Sequence, residues 1–200
     1  MKKWWDKNKK IPIQNDNFQK IVDFYLFNCP STITRRKGKT KKRYPVSQRA
    51  FSLEKYGWNG KLLQTLLATM KHPASGHLVY QTFKSNEDIE AETTNILRNS
   101  SLADPHFEMI LMQERTDMNK TSSIFYYIRN AFAHGSFSVV GKGENKTYYF
   151  ESSKDEKIKA RIRLREQTLL NWIKDVKLSP DALRKALEQN SKKKKSTTAA

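Results

Sequence analysis

The sequence predicts a mainly α-helical fold: a small helical bundle that carries a β-hairpin or three-strand insertion in its C-terminal third. Three observations predict it. Apolar residues recur at helical spacing, as in Leu62, Leu63, Leu66, Leu67 and Met70. Residues 121–135, Thr-Ser-Ser-Ile-Phe-Tyr-Tyr-Ile-Arg-Asn-Ala-Phe-Ala-His-Gly, read as an aromatic helix that stops at Gly135, the residue type suited to the left-handed conformation just past a helix end. Beyond it, residues 136–140 and 147–152 flank a Gly-Lys-Gly-Glu-Asn turn, and Ile158, Ala160, Ile162 and Leu164 alternate as a third strand.

The other elements follow in chain order. Residues 1–14 form a basic arm that includes Trp4 and Trp5. Residues 15–29 predict a helix with Phe18, Ile21, Val22, Tyr25 and Leu26 on one face, stopped by Pro30. The 35–43 run has no apolar periodicity and predicts a solvated basic loop; 44–56 carries no decisive pattern. Asn59 caps a helix through Lys71. His72 and His77 flank a Pro-Gly turn, but no carboxylate or cysteine nearby completes a metal-ligand set, so no metal and no cofactor are expected. Residues 78–83 fit strand or helix equally.

Ser85-Asn86-Glu87-Asp88 approximates a capping box, with Ile89, Thr93, Ile96 and Leu97 turned inward along a helix to Arg98. Asp104-Pro105 suits the start of a further helix to about Arg115, with Phe107, Ile110 and Leu111 inward. Leu169, Leu170, Trp172, Ile173 and Val176 mark a core helix. Ser179-Pro180-Asp181 opens a last helix over 179–190, and 191–200 reads as a disordered lysine-rich tail. The whole is one domain, 15–178, with appended ends.

Charge is unevenly placed. Of a net +18 on 200 residues, nearly all sits in three segments: 1–10 with five lysines and one aspartate, 35–43 with seven cations, and 192–195 with four lysines. The body is close to balanced. Mobile basic arms suit a polyanion, because neutralised phosphates release counterions. Arg35, Arg36, Lys37, Lys39, Lys41, Lys42 and Arg43 are therefore the candidate RNA-binding residues. No apolar run is long enough to span a bilayer, and the N-terminus lacks the apolar stretch of a secretory signal. Cys29 is the lone cysteine, which excludes an internal disulfide and suits a cytoplasmic protein with no membrane partner.

The 121–135 helix is apolar around most of its circumference, with one exception. At about 100° per residue, Tyr126, Arg129, Asn130, Ala133 and His134 share an arc of roughly 140°. A guanidinium, an amide and an imidazole on such a helix are costly unless something polar meets them. His134 in the last turn also suits the negative end of the helix dipole, and Arg129 also suits a structural ion pair.

Arg129-Asn130-Ala131-Phe132-Ala133-His134, with an aromatic helix before it and a glycine after it, resembles the catalytic motif of HEPN-superfamily ribonucleases. The 136–151 and 157–176 segments are similar to a plasmid-borne HEPN subfamily with a β-hairpin after the motif helix. The resemblance covers roughly residues 15–178. It implies a HEPN-like helical bundle and a symmetric homodimer whose paired motifs line one cleft. It also implies a toxin or phage-defence endoribonuclease that cuts RNA without a metal ion, using Arg129, Asn130 and His134. Some members are silenced by nucleotidyl transfer onto a Tyr two residues past the motif His. Ser136 stands there in this chain, so silencing would fall to another antitoxin or defence-system partner protein. The alternative is a non-catalytic HEPN-like module that binds nucleic acid through its basic arms.

Overall fold

The computed structural model describes residues 16–58, 62–70, 78–84, 88–99 and 106–197. The N-terminal arm, the expected cap Asn59, the turn with His72 and His77, the first three residues of the expected capping box (85–87) and Asp104-Pro105 lie outside the described residues.

The described chain opens with α1 (Asp16–Val22), which widens without a break into a π-helix at Asp23–Phe27. A two-stranded antiparallel ribbon follows, β1 (Thr32–Lys37) and β2 (Thr40–Pro45), then a 3-10 turn at Leu53–Tyr56. Next come α2 (Leu62–Met70), β3 (Leu78–Phe83), α3 (Ile89–Asn99), β4 (Glu108–Gln113) and α4 (Lys120–Ala133). The chain finishes with β5 (Phe137–Val140), β6 (Thr147–Lys154), β7 (Lys157–Arg165), α5 (Glu166–Asp175) and α6 (Pro180–Thr197).

The architecture is mixed α/β, which corrects the expectation of a mainly α helical bundle. One five-stranded mixed sheet runs in the order β3-β4-β7-β6-β5, beside the separate β1-β2 ribbon. The strands expected as a small insertion are therefore part of the central sheet. β7 pairs with β6 on one edge and with β4 on the other, and β4 pairs in parallel with β3 across the α3 crossover.

The decisive misreading was Glu108–Gln113, expected as a helix. Its sequence, Glu-Met-Ile-Leu-Met-Gln, has its first five residues buried, because the strand lies between two others and is covered on both faces. Such a strand shows a continuous apolar run, which short helices also show. Residues 78–83, undecided from sequence, are the neighbouring strand.

Two smaller corrections concern charge. The 35–43 run is not a loop but the body of the β1-β2 ribbon. Gly38, at φ +62°, leads its two-residue turn, the position where that type of hairpin turn favours glycine. The lysine-rich tail is helical to Thr197, seven residues past the expected end. Lysine is a good helix former and favours the negative helix terminus.

The sheet buries both faces. On one, Ile110, Met112, Ile162, Leu164, Tyr148 and Phe150 meet Ile124, Phe125, Ile128 and Phe132 of α4, with Trp172 of α5 closing the core. Phe125 is fully buried, its ring 6.2, 5.9 and 6.1 Å from those of Phe24, Tyr25 and Trp172. On the other face, Met109 and Leu111 pack under Ile89, Ile96 and Leu97 of α3, together with Phe83 and Phe107.

That second face also takes in the cations of β7. Arg161 binds Glu151 at 3.0 Å, and Arg165 pairs with the buried Glu108 at 3.4 Å. The Arg163 guanidinium lies 5.1 Å from the Phe107 ring and 5.5 Å from that of Tyr149. These arginines hold the fold together from inside rather than facing a polyanion.

At the end of α5, burial pushes the Asp175 carboxyl up from the ordinary 3.8 to about 6. Between those values the folded state holds a proton that the unfolded state has lost, so this residue's contribution falls as pH rises and levels off above about 6. Urea midpoints measured from pH 4 to 8 should therefore show Asp175→Asn gaining on the wild type across pH 4–6, with a constant difference above. Parallel curves would contradict the assignment.

Candidate functional site

The polar stripe sits where α4 meets solvent. Asn119 caps the helix by accepting a hydrogen bond from the Ser122 N–H at 2.8 Å, and Ser123 N–H donates to the Asn119 carbonyl at 2.9 Å. At the other end His134 is the cap residue. Gly135, at φ +63°, donates to Phe132 O at 3.2 Å, and Ser136 N–H reaches back to Ala131 O at 2.8 Å. Those two bonds are the paired closure of a Schellman motif. The Phe132 and Phe137 rings, tilted against each other with centroids 4.7 Å apart, pin the turn from the apolar side. The His134 backbone is thus fixed from both sides.

Along the stripe, exposure rises toward the C-terminus. Tyr126, Arg129 and Asn130 are half-buried, while Ala133 and His134 are exposed. The Arg115 guanidinium lies 4.3 Å from the centre of the Tyr126 ring and holds Asp117 through two bonds of 2.9 and 2.6 Å. Arg129 Nη1 reaches Asn130 Oδ1 at 3.4 Å, long for a hydrogen bond, and its buried Nε has no acceptor. Hydrogen-bonding capacity on Arg129 is therefore left over. Burial pushes the Cys29 thiol up to about 12 even though the Arg129 charge acts to lower it. The thiol is protonated and unreactive at neutral pH, as suits a small buried hydrophobe.

The ribbon holds the other candidate residues. Cross-strand partners share a face, so Arg36, Lys41, Thr34 and Arg43 lie on one side and Arg35, Lys42 and Lys37 on the other, with Lys39 in the turn. Arg35 stacks over Tyr44 at 5.7 Å on the outer side. Thr32, Thr34, Lys41, Arg43 and Pro45, all of the inner face, wall a cavity of about 840 Å³ at the N-terminal end of α4. The ribbon is anchored there by Thr34 N–H donating to Asp117 O at 2.9 Å and by Ser31 Oγ donating to Ser122 O at 2.8 Å.

The structure thus groups Arg129, Asn130 and His134 on one stripe and gathers the seven ribbon cations at the opposite end of the same helix. It does not merge them into one pocket. No known family model, curated protein or solved structure matches this chain. Among the described residues no three His, Cys, Asp or Glu side chains cluster as metal ligands, and no helix is long and apolar enough to cross a membrane.

Sequence reasoning missed Arg115, Asp117 and Trp58. Arg115 had been placed at the end of a helix, and its stacking on Tyr126 depends on the turn that joins β4 to α4. No spacing rule announces that contact.

Gly135→Ala tests the helix end. A Cβ there meets no atom within 4 Å, so the only penalty is the left-handed backbone. The expected cost is about 1–2 kcal/mol by urea denaturation, with Gly135→Asn milder. An unchanged stability would mean the cap is not formed in solution.

Proposed function

We propose that the protein is a metal-independent endoribonuclease of the HEPN type, acting at a composite site made by two copies of α4. The observation that supports this reading best is the open stripe: on a helix otherwise buried beyond its first residue, Lys120, the surface left accessible is the one with Arg129, Asn130 and His134. Since the fold is not the helical bundle that the resemblance implies, the reading rests on these residues and their placement.

The chemistry is transesterification. The ribose 2′-oxygen attacks the adjacent phosphorus, its proton passes to a base, and the 5′-oxygen leaves with a proton from an acid. The products are a 2′,3′-cyclic phosphate and a free 5′-hydroxyl. Imidazole serves either proton transfer near neutral pH, and one copy of the stripe supplies one imidazole. A second copy supplies the other. Arg129 keeps its charge and offers a fork of donors to the phosphorane oxygens. Asn130, beside it, orients the guanidinium or the substrate. The Ala133 methyl leaves room for two helices to approach. The substrate follows as cellular RNA, and the role as that of a toxin or defence enzyme held in check by a partner protein.

A non-catalytic RNA-binding module is the second reading. What favours it is the distance of the ribbon from the stripe: the strongest cationic surface and the motif occupy opposite ends of α4. Incubation with total RNA in EDTA separates the two. Wild type should yield fragments with 2′,3′-cyclic phosphate ends, and His134→Ala and Arg129→Ala should each lose roughly 10²–10⁴-fold in rate while melting like the wild type. Retained RNA binding without cleavage would overturn the enzyme and leave the module.

A further inference from the structure

The cavity under the ribbon has walls of mixed character, and what matters is which groups are already engaged. Its two carboxylates are. Glu54 accepts from Ser52 and pairs with Arg43 at 2.9 Å, and Asp117 is held by both arms of Arg115. Its donors are not. Lys41 is exposed and has no partner among the described residues. Trp58, a wall residue only 4% exposed, has a buried indole N–H with no acceptor. A buried donor left in this state costs about 1–3 kcal/mol unless something accepts from it. The first turn of α4 adds the Thr121 amide, which has no intrahelical acceptor, since the cap side chain serves Ser122. Pro45, Phe51, Leu53, Leu62 and Met118 are the larger apolar residues of a wall that also includes Thr32, Thr34, Ser52, Thr116 and Ser122.

Unused donors at a helix N-terminus suit a phosphate, and the apolar patch of Phe51 and Leu53 suits a flat ring. We propose that this cavity holds one nucleotide unit of an RNA strand, its phosphate at the first turn of α4 beside Lys41 and its base on the Phe51–Leu53 side. The strand then runs along α4 past the Arg115–Tyr126 stack to Arg129 and His134. From Thr121 to His134 the helix rises about 20 Å, roughly the length of six stacked nucleotides at ~3.4 Å each. The course of the strand rests on the RNA reading above; the nucleotide pocket does not.

Titration of the ¹⁵N-labelled full chain tests this. Three probes are compared: adenosine 5′-monophosphate, inorganic phosphate, and a 5′-phosphorylated hexamer of 2′-O-methyl RNA, which cannot be cleaved. The Trp58 indole N–H signal is assigned by its loss in Trp58→Phe. Nucleotide and hexamer should both shift it saturably, and Lys41→Glu should weaken both at least tenfold. The hexamer alone should also shift the His134 amide.

A silent Trp58 indole, indifference to Lys41→Glu, or inorganic phosphate binding as tightly as the nucleotide would overturn the pocket. A hexamer that shifts His134 but not Trp58 would overturn the path. RNA cleavage with a silent Trp58 would leave the nuclease standing without this pocket. Nucleotide binding without cleavage would remove the nuclease and keep the pocket.

Discussion

Everything in this structure is arranged around the burial of α4. Its Ile124, Phe125, Ile128, Ala131 and Phe132 side chains fill the space between the sheet and the aromatic cluster of the π-helix and α5. Each of the isoleucines and phenylalanines contributes on the order of 1.5–3 kcal/mol by leaving water, so the orientation of the helix about its axis is strongly set. The remaining arc is fixed as a consequence. Rotating the helix to hide Arg129 and His134 would drag phenylalanines into solvent.

The same constraint explains how the charge divides. Arginines on the central strand β7 are drawn inside and matched, Arg161 with Glu151 and Arg165 with Glu108. Those on the ribbon are exposed, with Arg35 resting on Tyr44 and Arg43 on Glu54. A ribbon so dense in like charges has little apolar contact to stabilise it and is held mainly at its root, by Thr34 and Ser31 against the start of α4.

How much was legible in the sequence follows from which interactions were local. The α4 helix, its stop at Gly135, the hairpin after it and the inward face of α3 were read from periodicity and end signals, which depend on neighbours a few residues away. The partition of strands was not. Glu108–Gln113 becomes a strand because β7, some fifty residues later, offers it an edge, and no window of its own sequence contains that fact. The ribbon was hidden for another reason: repeated lysine and arginine erase the alternation by which a strand announces itself. Arg129, Asn130 and His134 were visible as one arc, whereas the Arg115–Tyr126 stack and the cavity around Trp58 arise only from tertiary placement.

The measurement that bears most directly on the open stripe as the working surface is ultraviolet cross-linking of the full chain to RNA, with the adducts mapped by peptide mass spectrometry. Cross-links at Tyr126 and in the peptide carrying His134, lost when Arg129 is changed to Ala, are the expected result. Cross-links confined to the lysine-rich C-terminal segment, with the α4 peptides unmodified, would contradict it.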